Sequence, residues 1–134
     1  MNDPSPFAGL SPITLLAIVV AALAGLSGTG LGAWAAHGAP AELREGLATA
    51  SLYALIHGLA LIAAALVQDR AAGSLPARWL LRVSMLAFAL GIALFSGGIF
   101  FQAGTAALGG TLLIGGWLVF ALGAGALLLT PGKP

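Results

Sequence analysis

Four long apolar runs leave this chain few folds to adopt. They cover residues 13–36, 47–67, 80–103 and 109–129, and each is at least as long as the ~20 residues that carry a helix across a bilayer. The chain is 60% hydrophobic and 7% charged, whereas soluble domains contain about 25% charged residues. Because so few charges cannot cover a water-soluble surface, we predict an all-α integral membrane four-helix bundle forming one domain over 12–130.

The charged residues outside the runs predict an orientation. A polar arm over 1–11 precedes the bundle and a tail over 131–134 follows it, so four spans place both on the same side of the membrane. That side also receives most of the basic residues, namely Arg70, Arg78, Arg82 and Lys133, while Arg44 lies on the other. Basic residues in short loops mark the cytoplasmic side, which predicts an N-in, C-in topology.

Composition also excludes several classes of function. The formal net charge is only +1, so we expect no nucleic-acid partner. The chain has no cysteine, which excludes disulfides and thiolate metal sites. No carboxylate lies deep in a span, which argues against a proton-coupled antiporter or a rotary-ring proteolipid. No nucleophile–base set and no phosphate-binding loop are present, and we therefore expect no enzymatic activity, no catalytic residue and no metal site.

The second run carries the chemistry that needs explanation. His57 lies about 10 residues past Leu47, or ~15 Å down a helix, near the middle of a ~30 Å hydrocarbon layer. Tyr53 lies one turn earlier on the same face. The imidazole could bind haem, contact a quinone or relay protons. It could also be a neutral group bonded to Tyr53, a hydroxyl or a carbonyl, and without a carboxylate partner we favour this structural role.

A second histidine, His37, lies at the end of the first run. It can bond the last carbonyls of its helix, or reach Glu42 or Glu45, which share a face at the start of the next helix. We favour helix capping for His37 and interfacial solvation for the two glutamates. Since ~15 Å along the membrane normal separates His37 from His57, a bis-histidine haem within one chain is not expected. A haem with one ligand, or one between subunits, stays open.

Small and polar residues predict where the helices meet. Ala24, Gly28, Gly32 and Ala36 recur every four residues, as in helix seams packed in lipid. In the third run Ser96 and Gly97 indicate either a close crossing or a break that exposes carbonyls. Thr111 is a further polar candidate near one end of the fourth run.

Four motifs in order resemble a known family. They are GAWAAHG (32–38), TASLYALIHG (49–58), LFSGGIF (94–100) and TLLIGGW (111–117). They resemble the YgdD-like small membrane proteins, domain-of-unknown-function family four-two-three, whose eukaryotic relatives are called transmembrane protein two-five-six. The resemblance covers about 28–128 and implies a multi-pass protein of the bacterial inner membrane. It supplies no activity.

These observations lead to one principal expectation and two alternatives. We expect a non-enzymatic accessory or assembly subunit that binds membrane lipid, other membrane proteins or a second copy of itself, without a resident cofactor. The first alternative is a quinone- or haem-associated anchor that uses His57 with Tyr53. The second is a channel or carrier for a small neutral solute, which needs a continuous polar path through His57, Ser96 and Thr111.

Overall fold

A computed structural model describes residues 9–71 and 73–129. Most of the predicted arm over 1–11 and the whole predicted tail over 131–134 lie outside these residues. The described chain forms four helices: α1 (Pro12–His37), α2 (Ala41–Arg70), α3 (Leu75–Phe100) and α4 (Ala106–Leu128). All four are long and apolar enough to cross a membrane. The predicted all-α four-helix membrane fold is therefore confirmed, while the N-in, C-in orientation stays a prediction.

Capping serines mark where α1 and α3 begin. The Ser11 hydroxyl accepts the Thr14 amide at 3.3 Å, with proline in the first turn of α1. The Ser74 hydroxyl does the same for Ala77 at 3.4 Å, again with proline in the first turn. Serine and proline at these positions are typical helix starts. As a result α3 begins at Leu75, whereas hydropathy alone placed the third span from residue 80.

The end of α3 is set by backbone conformation. Gln102 and Gly104 adopt φ values of 53° and 71°, in the left-handed region that cannot continue a right-handed helix. The turn therefore follows Phe100 directly, and α4 begins at Ala106 rather than at residue 109. The polar stretch before the second span is also helical, since α2 begins at Ala41.

The helices pack in chain order. Within the described residues α1 contacts α2, α2 contacts α3 and α3 contacts α4, whereas α1 and α4 share no contact. α1 meets α3, and α2 meets α4, over only a few residues. The bundle is therefore an open row rather than a closed ring. One groove runs between α1 and α3 on one side, and another runs between α2 and α4 on the other.

The α1–α2 contact uses the predicted seam of small residues. Any Cβ at Gly28 would lie 3.1 Å from the Ser51 carbonyl oxygen, and one at Gly32 would lie 2.8 Å from the Ser51 hydroxyl. The seam moves from the predicted Ala36, which is exposed, to the buried Ala35. The reason is that a four-residue step overshoots the 3.6-residue turn by about 40°, and the error accumulates over three steps.

Glycines also bring α3 and α4 together. Gly109, Gly116 and Gly123 are buried and lie seven residues apart on one face of α4, the spacing of a left-handed helix pair. A Cβ at Gly109 would lie 2.7 Å from the Phe95 Cα, so the two backbones are already in contact. A Cβ at Gly116 would lie 2.9 Å from the Phe88 ring. The small residues of α4 thus make room for the backbone and aromatic rings of α3.

Candidate functional site: the His57 groove

His57 lines a groove between α2 and α4. The groove has a volume of about 390 Å³, within the 300–1,000 Å³ range of small-molecule sites. Its lining is aromatic and aliphatic apart from the imidazole: Tyr53, Ile56, His57, Phe95, Gly110, Leu113, Ile114 and Trp117. We call this feature the His57 groove. It is the place in the described chain where an ionisable side chain meets an apolar cavity at mid-helix depth.

One hydrogen bond fixes the chemical form of the imidazole. His57 Nδ1 lies 2.8 Å from the backbone carbonyl oxygen of Tyr53, one turn earlier in α2. A carbonyl can only accept, so Nδ1 carries the proton and donates it. In the neutral ring Nε2 then presents a lone pair. Within the described part of the chain no hydrogen-bond partner is assigned to Nε2, which leaves this nitrogen as an acceptor or a ligand.

Aromatic rings from three helices hold the imidazole in place. The His57 ring centroid lies 6.0 Å from that of Phe88 on α3 and 6.1 Å from that of Trp117 on α4. Tyr53 stacks on Phe95 at 4.4 Å with an interplanar angle of 20°. These separations are those of favourable aromatic pairs. His57 is only 7% exposed, so its ring has little freedom to turn.

The predicted contact between Tyr53 and His57 takes a different form from a phenol–imidazole hydrogen bond. The two rings lie 5.3 Å apart and are inclined by 32°, and the imidazole bonds to the Tyr53 backbone instead of the phenol. The i−4 spacing brings both the carbonyl and the ring of Tyr53 near His57. Together the pair joins α2 to α3 and α4 through ring packing.

The other predicted site residues lie away from this groove. Ser96 is buried and donates its hydroxyl across to the Ala50 carbonyl of α2 at 2.8 Å. Gly97 borders the α1–α3 groove, and a Cβ there would meet nothing within 4 Å. Thr111 is exposed and donates to the Ala107 carbonyl of its own helix at 3.0 Å. Since each hydroxyl is engaged with backbone and none reaches His57, these residues form no shared polar path in the described chain.

His37, Glu42 and Glu45 lie at the opposite end of the bundle from the start of α1. His37 is exposed at the last residue of α1. The Trp34 carbonyl there accepts the backbone amides of Gly38 and Ala39 at 2.9 and 2.8 Å. Among residues 9–71 and 73–129 no hydrogen bond is assigned to the His37 imidazole, and its capping role stays a prediction.

Metal and haem chemistry can be tested against this arrangement. No group of three metal-ligating side chains occurs in the described residues. His57 lies ~24 Å along α2 from Ala41, at 1.5 Å per residue, while His37 lies beside that helix start. One iron therefore cannot take both imidazoles of one chain. The groove offers a single nitrogen ligand and suits a flat ring that carries a hydrogen-bond donor.

Phe88, Phe95 and Trp117 complete the site and were not predicted to contact His57. A signal was present, because Phe88 and Phe95 are seven residues apart and so share one face of α3. The sequence does not indicate which residue of another helix these two phenylalanines contact. The contact with His57 depends on α3 packing between α2 and α4.

A family model described as "Protein of unknown function (DUF423)" matches residues 31–133. This chain belongs to the DUF423 family. The match confirms the resemblance drawn from the four motifs, and it includes every residue of the His57 groove. Comparison of this DUF423 protein with curated proteins and with solved structures found no match.

Proposed function

We propose that this DUF423 protein is a non-enzymatic accessory subunit of the bacterial inner membrane, which packs its two terminal helices against other membrane helices or a second copy. The observation that carries the proposal is the open row of helices. α1 and α4 each pack along one side only, and within the described residues they do not contact each other. A closed bundle would use both sides of each helix.

Glycines with open space beside them lie on both terminal helices: Gly25 at the edge of the α1–α2 contact, Gly30 at the edge of the α1–α3 groove, and Gly115 on α4. Gly28 and Gly109 bring backbones together within the bundle. Gly25 and Gly30 on α1, and Gly115 on α4, have nothing within 4 Å of a Cβ position. Small residues promote helix association in lipid because they allow close van der Waals packing. These three glycines are therefore suited to helices from outside the chain.

The proposed orientation rests on charge. Arg70, Arg78 and Arg82 lie at the bundle end formed by the last turn of α2 and the first turns of α3, whereas Arg44 lies at the other end beside Glu42 and Glu45. The positive-inside rule then supports an N-in, C-in topology.

Extraction of native membrane patches with a styrene–maleic acid copolymer tests the accessory role. We expect the protein to co-purify in constant ratio with a membrane protein or as more than one copy. Gly115→Leu should remove the partner from the purified sample, because the leucine blocks the close approach of another helix to α4. Ala63→Leu is the matched control, since Ala63 is exposed on the central helix α2. A lone chain from native membranes, or equal loss in both variants, would contradict the proposal.

The His57 groove supports a second candidate function, the binding of a lipophilic ring with a hydroxyl group, such as a quinol. The observation in its favour is the pinned tautomer, because the Nε2 lone pair can accept from a hydroxyl while Phe95 and Trp117 contact the ring. A haem anchor would use the same nitrogen as one axial ligand.

Fluorescence and absorption separate these ligands. Trp34 and Trp79 are exchanged for phenylalanine so that Trp117 remains as the reporter, and a short-chain quinol is titrated. Saturable quenching that His57→Leu abolishes supports the quinol site. Quenching that stays linear, or that is equal in His57→Leu, contradicts it. Haem would instead give a visible absorption band that the same variant removes.

A further inference from the structure

On the opposite side of the row from His57, the space between α1 and α3 contains a further groove near the start of both helices. It is formed by the first half of α1 and the first half of α3, has a volume of about 200 Å³, and is lined by apolar side chains such as Leu16, Val20, Met85 and Ala89 together with Arg82. We call it the Arg82 groove. It is open to the surrounding lipid along its length, because α1 and α3 scarcely meet.

Arg82 lines this groove, and its Nε lacks a hydrogen-bond partner in the described residues. This nitrogen atom is buried. The carboxylate at this end of the described chain, Asp69, accepts the Ser11 amide at 3.0 Å. The guanidinium carbon lies 5.9 Å from the Trp79 ring centroid. A cation–π contact of this kind holds the charge at the level where tryptophans meet the interface.

The shape and charge of the groove suit an acyl chain with an anionic headgroup. A helix about 10 Å across that rises 5.4 Å per turn fills ~400 Å³ per turn. The Arg82 groove is about half that volume and is lined by apolar side chains, which suits one acyl chain. At the polar end of the groove, the Arg82 guanidinium can bind a phosphate oxygen with charge-assisted hydrogen bonds.

We propose that the Arg82 groove is a binding site for one anionic phospholipid. The phosphate lies at the Arg82 guanidinium, and one acyl chain lies between α1 and α3. A guanidinium that no carboxylate of the described residues neutralises is costly in lipid, and a phosphate at its accessible terminal nitrogens lowers that cost. This site is independent of the His57 groove and of the proposed accessory role.

The test is a competition between lipids on the purified full chain. Native mass spectrometry is performed after incubation with equal amounts of phosphatidylglycerol and phosphatidylcholine of the same chain length. We expect one phosphatidylglycerol to be retained in preference, and Arg82→Gln to lower that preference about fivefold, the effect of one basic residue near an anionic lipid surface. Arg82→Lys, which keeps the charge, should retain part of it.

Two controls separate this site from general attraction to negative charge. Arg70→Gln removes the same charge from an exposed position at the same end, and we expect it to leave the preference unchanged. Gln68→Met tests the other buried atom without a partner at this end, Gln68 Oε1, and should also have no effect. Equal loss in any control would overturn the proposal, because the selectivity would then not come from the Arg82 groove.

The acyl-chain part of the site has its own variant. Ala89→Leu narrows the groove and leaves Arg82 intact, so we expect weaker retention of the long-chain lipid in a protein that unfolds at the same temperature as wild type. Displacement of the lipid by inorganic phosphate alone would show that the site binds the free anion. That result, or the absence of any lipid preference in the wild type, would overturn the proposal.

Discussion

The α1–α2 and α3–α4 hairpins both bring their helices together at glycines, but they differ in how hydroxyl groups contribute. Between α1 and α2, hydroxyls donate across the contact: Thr14 to the Ala65 carbonyl at 3.2 Å and Ser51 to the Gly28 carbonyl at 2.7 Å. Between α3 and α4, glycines meet backbone and aromatic rings. Neither contact relies on expelling water, since the solvent is lipid. In the second hairpin the hydroxyl bond lies beside the turn, where Thr105 donates to the Leu94 carbonyl at 2.8 Å. The comparison indicates that hydroxyl bonds add to the helix contact of the first hairpin, whereas the helices of the second meet mainly through glycines.

The largest loss of stability is expected where the two helix backbones are in direct contact. Gly109→Leu places a side chain against the Phe95 backbone, which cannot move without separating α3 from α4. We expect a loss above about 4 kcal/mol, in the range of severe overpacking, and hence failure to fold. Unfolding by SDS in mixed micelles measures it.

Gly110→Leu is the matched control, because a Cβ there would meet only the edge of the Phe95 ring at 3.6 Å. This variant should fold and should narrow the His57 groove, which Gly110 lines. If Gly109→Leu proves as stable as Gly110→Leu, α3 and α4 are not in backbone contact.

Removing a buried side chain should lower the free energy of unfolding less than inserting one between two backbones. Phe88 is fully buried against Gly116, Trp117 and the His57 ring. Phe88→Ala should lower the free energy of unfolding by about 3 kcal/mol, at the low end for phenylalanine because the reference solvent is lipid. Phe101→Ala, at a position 76% exposed, should change it little in the same SDS titration. Equal costs in the two variants would mean that the aromatic cluster does not pack as described.

The smallest loss of stability is expected for a hydroxyl bond in the α1–α2 hairpin. Ser51→Ala removes the bond to the Gly28 carbonyl and should cost about 1 kcal/mol, as single hydrogen bonds between membrane helices do. Ser27→Ala removes a hydroxyl that bonds only within α1 at an exposed position, and should be neutral. If Ser51→Ala is no more destabilising than Ser27→Ala, the hydroxyl bond between α1 and α2 does not stabilise the first hairpin.

The existence of the helices could be predicted from sequence, but the ends of α3 could not be predicted from hydropathy. Apolar length identifies the four spans because the bilayer imposes it. The start of α3 depends on Ser74, whose cap extends the helix through an amphipathic turn that hydropathy treats as loop. Its end depends on the left-handed conformation of Gln102, and glutamine gives no sequence signal for that conformation.

The site was predicted less completely than the fold. His57 and Tyr53 were identified because an imidazole in a span is unusual. Its neighbours Phe88 and Trp117 come from α3 and α4, and their proximity depends on packing order. Arg82 was predicted only as a basic residue of the inner side. The groove beside it exists because α1 and α3 do not close on each other, which no local pattern encodes.

The open row of helices is the central claim, and the absence of cysteine from the natural chain makes it directly testable. Cysteines are introduced at Gly25 of α1 and Gly115 of α4, and a short bismaleimide linker is added to intact membranes. The account predicts no cross-link within one chain between these two positions. If the partner is a second copy, Gly115→Cys alone gives a cross-linked species of twice the mass. An efficient α1–α4 cross-link within a single chain would show a closed bundle and contradict the account.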